Sequence, residues 1–312
     1  MPLIDLAALP RPPRPPRPHG PHRSLPTPRL ALAALRLGAA LLFPFLLTAC
    51  ANLQAIETYA ESAAELTSAT EAAQRWRDSE THLGAWRLEG DVCPIGRTGR
   101  LPQARFDQAF EQIAQVHQAM GRYFTTLAAL AGDQVPPRSG PANRSAIGSL
   151  EALQASGVEV SERDERAVKA LLSLVDSLET LYRERQLRAV MNGSQEDVAQ
   201  VLALMDRLAQ AYAQDLRGEG IQAVGFVRCE IGQSDLSDKY LGRRELQRVR
   251  QHYEAAQAAL SRYQLALRQL AADHARIRDA LNMDRDSMTR SLKAIARTAR
   301  DLDRARDAIA AR

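Results

Sequence analysis

Aromatic residues are few in this chain, and proline is missing from its C-terminal half. Phe, Trp and Tyr make up 5% of the 312 residues, and no proline follows Pro141. Alanine, leucine, arginine, glutamine and glutamate, which all favour helices, are abundant. No alternating pattern of the kind that strands produce is present, and no internal repeat of solenoid length. The composition therefore predicts an all-α protein.

Motifs of enzymes and metal sites are also missing. The histidines after residue 50, namely His82, His117, His252 and His274, belong to no HxxxH, HExxH or ExxH pattern, so zinc and di-iron sites lack support. Neither a serine nucleophile elbow nor a glycine-rich phosphate loop occurs. A glycosidase needs only two placed carboxylates, which leaves a wall hydrolase as a third functional class. We expect no enzyme activity, no metal and no cofactor.

Residues 1–49 have the composition of a targeting segment. Ten of the sixteen prolines lie in the first 28 residues among arginines, which favours an extended segment without a core. The apolar run of residues 37–49 is shorter than the roughly 20 residues that cross a bilayer. A basic lead, a short apolar run and the small residue Ala49 predict a secretory signal peptide.

The segment ends in Leu47-Thr48-Ala49-Cys50, which resembles the lipobox of bacterial lipoproteins. The resemblance covers these four residues and the preceding apolar run. It implies cleavage before Cys50, a diacylglycerol on the sulfur of Cys50 and an acyl group on its new amino group. Two or more acyl chains hold a protein stably on a membrane. The alternative is an uncleaved anchor helix in which the cysteine occurs by chance.

For a Gram-negative cell, the same resemblance implies a location. Ala51 takes the place of the aspartate that is associated with inner-membrane retention, so we expect the periplasmic face of the outer membrane. Residues 50–312 would then form the mature helical domain, with residues 132–145 as the place for any internal division. The mature part holds 35 basic and 36 acidic residues, so its charge gives no indication of nucleic-acid binding.

Two cysteines, Cys93 and Cys229, remain if Cys50 is lipidated. Both lie in helix-breaking segments, GDVCPIG and GFVRCEIG, and an exported protein meets an oxidising environment. We therefore predict a Cys93–Cys229 disulfide, with two free thiols as the alternative. Simple up-and-down alternation would place the two cysteines at opposite ends of a bundle. The disulfide thus also predicts that residues 132–160 make a long return along the bundle.

Apolar spacing predicts the first helices of the mature chain. Residues 51–78 carry a mostly alanine face, and residues 103–131 carry a stripe of large apolar side chains that ends at Gly132. Trp86, in the loop between them, is expected to pack against the bundle. A short helix is predicted over residues 145–155.

Capping patterns predict two further helices. Ser161 and Ser194 each have an aspartate three residues later, which is the spacing of a helix N-cap. Asn192-Gly193 predicts a left-handed stop, and hence an antiparallel hairpin between the two helices. The glycines at positions 218, 220 and 225 predict the end of the second helix.

The most regular pattern in the chain runs from Leu246 to Leu281. Apolar residues recur there at alternating steps of three and four, and flanking alanines widen the apolar face beyond that of a two-stranded coiled coil. His274 lies on this seam, where a polar group that fixes register is a better interpretation than a ligand. The seam consists of Leu246, Val249, Tyr253, Ala256, Leu260, Tyr263, Leu267, Leu270, His274, Ile277 and Leu281. We predict an elongated antiparallel helical bundle with one long heptad-patterned helix.

A final amphipathic helix is predicted over residues 288–309. Basic residues recur nearly opposite its apolar side, which indicates contact with an anionic surface such as phospholipid headgroups, lipopolysaccharide or peptidoglycan, or with an acidic protein. A solvated face, diluted by Asp301 and Asp303, is the alternative. The basic residues are Arg290, Lys293, Arg297, Arg300 and Arg304.

The leading functional interpretation is a non-enzymatic, membrane-anchored envelope lipoprotein. It would present helical surfaces to an envelope protein or to a polymer such as peptidoglycan. The alternative is a helical binding module that carries a lipid or small ligand in a groove between helices. An alanine-packed core without a pocket would count against this alternative.

Overall fold

The computed structural model of the chain describes residues 53–84, 93, 103–132, 150–177, 183–283, 302, 304, 305 and 307. All of them belong to one compact unit, residues 47–312. Across these ranges the regular structure is helical and no strand occurs, which confirms the predicted all-α helical bundle. No helix in the described part of the chain is long and apolar enough to span a bilayer. The signal segment, Cys50 and Trp86 lie outside the described residues.

The helices are numbered in chain order. Residues 53–68 form α1. The helices that follow are α2 (Glu71–Arg77), α3 (Ser79–Gly84), α4 (Gln103–Gly132), α5 (Glu151–Ala155), α6 (Glu162–Ser177), α7 (Arg183–Gln233) and α8 (Leu236–Leu281).

The first predicted helix is interrupted at residues 69 and 70. Nδ1 of His117 lies 2.9 Å from the backbone oxygen of Thr67. In a continuous helix this oxygen would accept from the N–H of residue 71. Because His117 on α4 takes this position, the prediction of one helix over residues 51–78 is corrected to α1 followed by α2 and α3.

The predicted stop at Asn192-Gly193 is wrong, because α7 runs through it without a break. The polar side chains that suggested a stop make other contacts. Asn192 accepts a hydrogen bond from Asn282 at 2.9 Å, and Ser194 Oγ donates to the backbone oxygen of Val190 at 2.8 Å. Ser194 is therefore inside a helix and does not cap one. Packing against α8 outweighs the local turn preference.

The predicted end near the glycines at positions 218, 220 and 225 is also wrong, since α7 continues to Gln233. Gly220 has a packing role, because a Cβ atom added there would lie 2.9 Å from Cγ of Tyr253 on α8. The absent side chain thus lets the two helices approach closely.

The last two helices form an antiparallel hairpin with Ser234 and Asp235 between them. Their contacts follow opposite chain directions from the turn outward. The contacting pairs are Ile231 with Gly242, Glu219 with Tyr253, Asp206 with Arg268, and Asn192 with Asn282. The predicted long helix is confirmed, and it begins ten residues before the seam. Seam residues from Val249 to Leu281 are buried, apart from the half-buried Ala256.

The predicted N-cap at Ser161 is confirmed. The N–H of Asp164 donates to Ser161 Oγ at 3.3 Å, and Asp164 Oδ2 accepts from the N–H of Ser161 at 2.7 Å. Oδ1 of the same carboxylate accepts from Arg207 on α7 at 2.7 Å. These contacts hold the pKa of Asp164 below its usual value despite burial, which opposes the shift. The start of α6 is therefore fixed to α7.

The long return between α4 and α6 is confirmed by its end points. The N–H of Leu153, in α5, donates to Oε1 of Gln112 at 3.1 Å. Gln112 lies 20 residues before Gly132, the last residue of α4, which is about 30 Å along the helix axis. The start of α5 therefore lies far back along α4 from Gly132, as the predicted return requires.

This return brings Cys93 and Cys229 to the same end of the bundle. The structure contains the predicted disulfide, with a Cα–Cα distance of 5.7 Å. The bond joins Cys93, ten residues before the start of α4, to the last part of α7.

Candidate functional site

The cysteine pair is the one predicted site that the described residues contain in full. Of the predicted basic residues on the final helix, Arg304 is exposed while its neighbours Leu302 and Ala305 are buried. This agrees with an amphipathic helix at that point. The remaining predicted members lie outside the described residues, and they are Cys50, Arg290, Lys293, Arg297 and Arg300.

A cavity of about 370 Å³ lies between the α2–α3 segment and the α7–α8 hairpin. Its walls are partly apolar, with Trp76 and Tyr212 as the large side chains and Ala256 and Ala259 as small ones on α8. Two alanines facing a tryptophan and a tyrosine leave the space that larger side chains would fill. A groove between helices, which the alternative functional interpretation of the sequence requires, is therefore present among the described helices.

Trp76 is fixed by its neighbours. Its ring packs against Phe106 with 4.9 Å between centroids and against Tyr212 with 5.3 Å. Its Nε1–H donates to Oδ2 of Asp215 on α7 at 2.6 Å. The indole is 4% exposed, so the cavity wall is built on a rigid aromatic group.

A buried ion pair closes the cavity on one side. Arg75 on α2 donates through Nη1 to Oε2 of Glu219 at 3.1 Å and through Nη2 to Oε1. The hydroxyl of Tyr253 donates to the same Oε1 at 2.7 Å. The side chain of Glu219 is 1% exposed. A buried carboxylate without a partner is energetically costly, so the positive charge of Arg75 is needed to stabilise Glu219 within the fold.

The other charged groups of the lining are mainly acidic. Asp78 accepts from Nε of Arg77 at 2.7 Å, and this hydrogen bond lowers the pKa of Asp78. Glu71 and Asp215 form no ion pair with a described residue. Partial burial of the ring, followed by the charge of Arg75, lowers the pKa of His82.

One hydroxyl in the cavity wall is unsatisfied. Tyr212 lines the cavity and is 3% exposed, yet its hydroxyl has no hydrogen-bond partner among the described residues. Burial raises the pKa of this phenol well above its usual value, so it stays protonated. A buried polar group without a partner costs about 1–3 kcal/mol.

A second polar cluster lies deep in the bundle. Nε2 of His274 is 2.6 Å from the hydroxyl of Tyr123, which is 2.8 Å from Oγ of Ser194. Nδ1 of His274 is 2.8 Å from Oε1 of Gln195. The cluster contains residue types found in hydrolases, but Ser194 and Tyr123 are each 1% exposed and His274 is fully buried.

This cluster binds α8 to α4 and α7 and offers no access to a substrate. Burial lowers the pKa of His274 to about 3, so the imidazole is neutral over the physiological range. The geometry agrees with the prediction that His274 fixes the register of α8.

A different surface lies near the turn of the α7–α8 hairpin. We call residues 239–250 the basic tip. Tyr240 and Leu241 are 68% and 63% exposed there, beside the exposed Arg243 and Arg244. Arg243 and Arg244 form no ion pair with a described residue, whereas Arg248 is paired with Glu245 at 2.8 Å. The basic tip thus combines exposed apolar and cationic groups.

Sequence reasoning missed the cavity, although one signal was present. The apolar spacing of α7 continues through Tyr212 and Leu216 to position 219. An apolar residue is expected at this position, but the residue there is Glu219. A charged group at such a position needs a buried partner. The partner, Arg75, lies 144 residues away, and local patterns carry no information about it.

Within the described residues, no cluster of three or more His, Cys, Asp or Glu side chains is arranged to hold a metal ion. Comparisons with known proteins gave no match for this chain, whether with protein-family models, curated proteins or solved structures.

Proposed function

We propose that the protein is a non-enzymatic lipoprotein of the cell envelope that presents the basic tip to an acidic protein partner. The observation that supports this is the exposure of Tyr240 and Leu241, at 68% and 63%, next to arginines without ion-pair partners among the described residues. Tyrosine and arginine are enriched at the centres of protein interfaces. Exposed large apolar side chains beside them supply area that a partner can bury.

The distance from the proposed anchor supports a partner away from the anchoring membrane. Tyr59, nine residues after Cys50, donates its hydroxyl proton to the backbone oxygen of Leu270 at 3.0 Å. Tyr240 precedes Leu270 by 30 residues on the same helix, a distance of about 45 Å along its axis. A protein that is held by Cys50 would therefore carry the basic tip far from the start of α1.

The location on the periplasmic face of the outer membrane rests on the lipobox resemblance. The test of the anchor is Cys50→Ala, with lipid attachment measured by mass spectrometry and membrane association by fractionation. We expect a precursor that is not processed or a protein that leaves the membrane. A processed Cys50→Ala protein that stays fully attached to the membrane would contradict the anchor.

The test of the tip uses a photo-crosslinking amino acid at position 240 in living cells. Position 265 serves as the matched control, because Leu265 is also a large exposed side chain on α8, at 66%. We expect one protein to be crosslinked from position 240 and not from position 265. The crosslinked partner, once purified, should bind the wild-type protein. Its affinity for the Arg243→Glu/Arg244→Glu variant should be about tenfold lower or more, and this difference should be larger at low salt.

Two results would contradict the proposal. One is crosslinking that is equal from positions 240 and 265, or that survives the double charge reversal. The other is co-sedimentation of the protein with purified peptidoglycan that depends on Arg243 and Arg244, since the partner would then be a polymer and not a protein.

The cavity favours a second function, a module that binds a small ligand. A volume of about 370 Å³ is within the range of small-molecule sites. This function is independent of the basic tip, because the α8 residues that line the cavity, His252, Ala256, Ala259 and Leu260, lie outside residues 239–250.

A further inference from the structure

We propose that the cavity between α2–α3 and the α7–α8 hairpin binds a small organic cation, an amine with an apolar body. Acidic side chains line the cavity. Arg75, the one arginine among the described lining residues, is paired with Glu219. It also provides aromatic rings and small side chains where the body of the ligand would lie. The inference does not depend on the basic tip or on the lipid anchor.

The charge balance of the lining excludes an anion as the preferred ligand. Both terminal nitrogens of Arg75 donate to Glu219, so the positive charge of the guanidinium is paired. Glu71 and Asp215 have no cationic partner among the described residues. An anion entering the cavity would meet these two carboxylates without a free arginine, whereas an ammonium group would be attracted to them.

Asp215 is positioned to hold a ligand. Its Oδ2 accepts from Nε1 of Trp76 at 2.6 Å, which fixes the carboxylate and leaves Oδ1 for a second donor. An ammonium group carries three N–H donors and no acceptor.

The depth profile of the cavity fits an amphiphilic amine. Glu71 and His82 are exposed at its rim, while Trp76 and Tyr212 are buried. Aromatic faces attract ammonium groups and bury apolar chains. The ligand class is therefore an alkyl or aryl amine, and neither a free metal ion nor a fully polar polyol.

The test uses three probes of equal chain length, hexylamine, hexanol and hexanoate. Binding is measured on the purified full-length protein by calorimetry and by the fluorescence of Trp76. The chain has two tryptophans, so Trp86→Phe is made first to leave Trp76 as the reporter. We expect hexylamine to bind about tenfold more tightly than hexanol, and hexanoate to bind most weakly.

Variants then assign the site. Glu71→Gln/Asp215→Asn keeps the size of both side chains, and an amide oxygen can still accept from Trp76. We expect this variant to lose about tenfold in affinity for hexylamine and to treat hexylamine and hexanol alike. The matched control is Glu196→Gln, because the side chain of Glu196 is 86% exposed and lies outside the cavity.

Ala256→Leu is the second variant. Its larger side chain should fill the cavity and abolish binding of all three probes. Circular dichroism and thermal unfolding should still be those of a folded protein. Equal or tighter binding of hexanoate would overturn the proposal. So would unchanged hexylamine binding in Glu71→Gln/Asp215→Asn, or in a folded Ala256→Leu protein.

Discussion

The two long helices α7 and α8 pass through two different environments. Residues 187–216 of α7 and 259–281 of α8 belong to the bundle part, where α1, α4 and α6 cover them. Residues 217–258, which we call the hairpin arm, have mainly each other as neighbours among the described helices. Between residues 239 and 252, Val249 is the one buried residue.

The contrast shows how one pair of helices can serve for stability at one end and for contact at the other. The bundle part buries large side chains and a hydrogen-bonded histidine cluster, so its interior is specified in detail. Two contacts hold the hairpin arm near its base, the Arg75–Glu219 pair and the close approach of Gly220 to Tyr253. The disulfide at Cys229 holds it again near its turn. On α8 opposite this last segment of α7, Tyr240 and Leu241 remain exposed.

The largest effect is expected from the disulfide, which ties the hairpin arm to the loop before α4. Its cysteines are 136 residues apart, and closing a loop of that length stabilises a protein by about 5 kcal/mol in the chain-entropy model. Cys93→Ala/Cys229→Ala should lower the free energy of unfolding by up to that amount in urea denaturation. A loss smaller than about 1 kcal/mol would mean that the bond adds little to the attachment of the arm.

The next largest effect distinguishes buried from exposed leucines on the same helix. Leu267 is fully buried, whereas Leu265 is 66% exposed. Leu267→Ala should lower the free energy of unfolding by about 2–5 kcal/mol, because it removes apolar contacts and leaves a cavity. Leu265→Ala should change it by about 0.5 kcal/mol or less. Similar losses in both variants would contradict the packing of α8 against the bundle.

Acidification should weaken the bundle part more than the hairpin arm. Burial lowers the pKa of His117 to about 4 and that of His274 to about 3. Both values lie below the unfolded value of about 6.5, so the unfolded state binds more protons as the pH falls from 6.5 towards 4. Stability is therefore full above pH 6.5 and decreases below it, by about 1.4 kcal/mol per pH unit for each histidine.

At pH 5.5 the two histidines together should cost about 3 kcal/mol relative to pH 7. Urea midpoints measured at both pH values check this, with His117→Gln and His274→Gln as variants that each remove one titrating group. A pH dependence that is unchanged in both variants would assign the acid sensitivity to other groups.

The smallest effect tests the base of the hairpin arm with two glycines of α7. A Cβ at Gly220 would lie 2.9 Å from the ring of Tyr253, while one at Gly225 meets nothing within 4 Å. Gly225→Ala should stabilise the protein by about 0.5–1 kcal/mol through helix propensity. Gly220→Ala should destabilise it by about 1–3 kcal/mol through overpacking. Thermal unfolding of the two variants should therefore shift in opposite directions.

Much of the fold could be predicted because its signals are periodic or covalent. The seam from Leu246 to Leu281 follows from apolar spacing alone. The return between α4 and α6 follows from combining the Cys93–Cys229 pair with the alternation of helices, a constraint that acts across the whole chain. The location rests on the lipobox resemblance and the acidic partner on the exposed basic tip, and both stay predictions.

The failures occurred where a distant residue overrides a local preference. Asn192 and Gly193 have the local chemistry of a helix stop, but Asn192 pairs with Asn282, which is 90 residues away. The cavity depends in the same way on Arg75 meeting Glu219. Such contacts are specified by tertiary packing, and a single sequence does not reveal them.

Hydrogen–deuterium exchange along α7 tests the central contrast most directly, because one continuous helix runs through both environments. We expect amides of residues 198–212 to exchange only with global unfolding, and amides of residues 221–233 to exchange about a hundredfold faster or more. Peptides from residues 239–250 of α8 should follow the faster group. Equal protection over the whole of α7 would contradict the account, because the hairpin arm would then be as firmly packed as the bundle part.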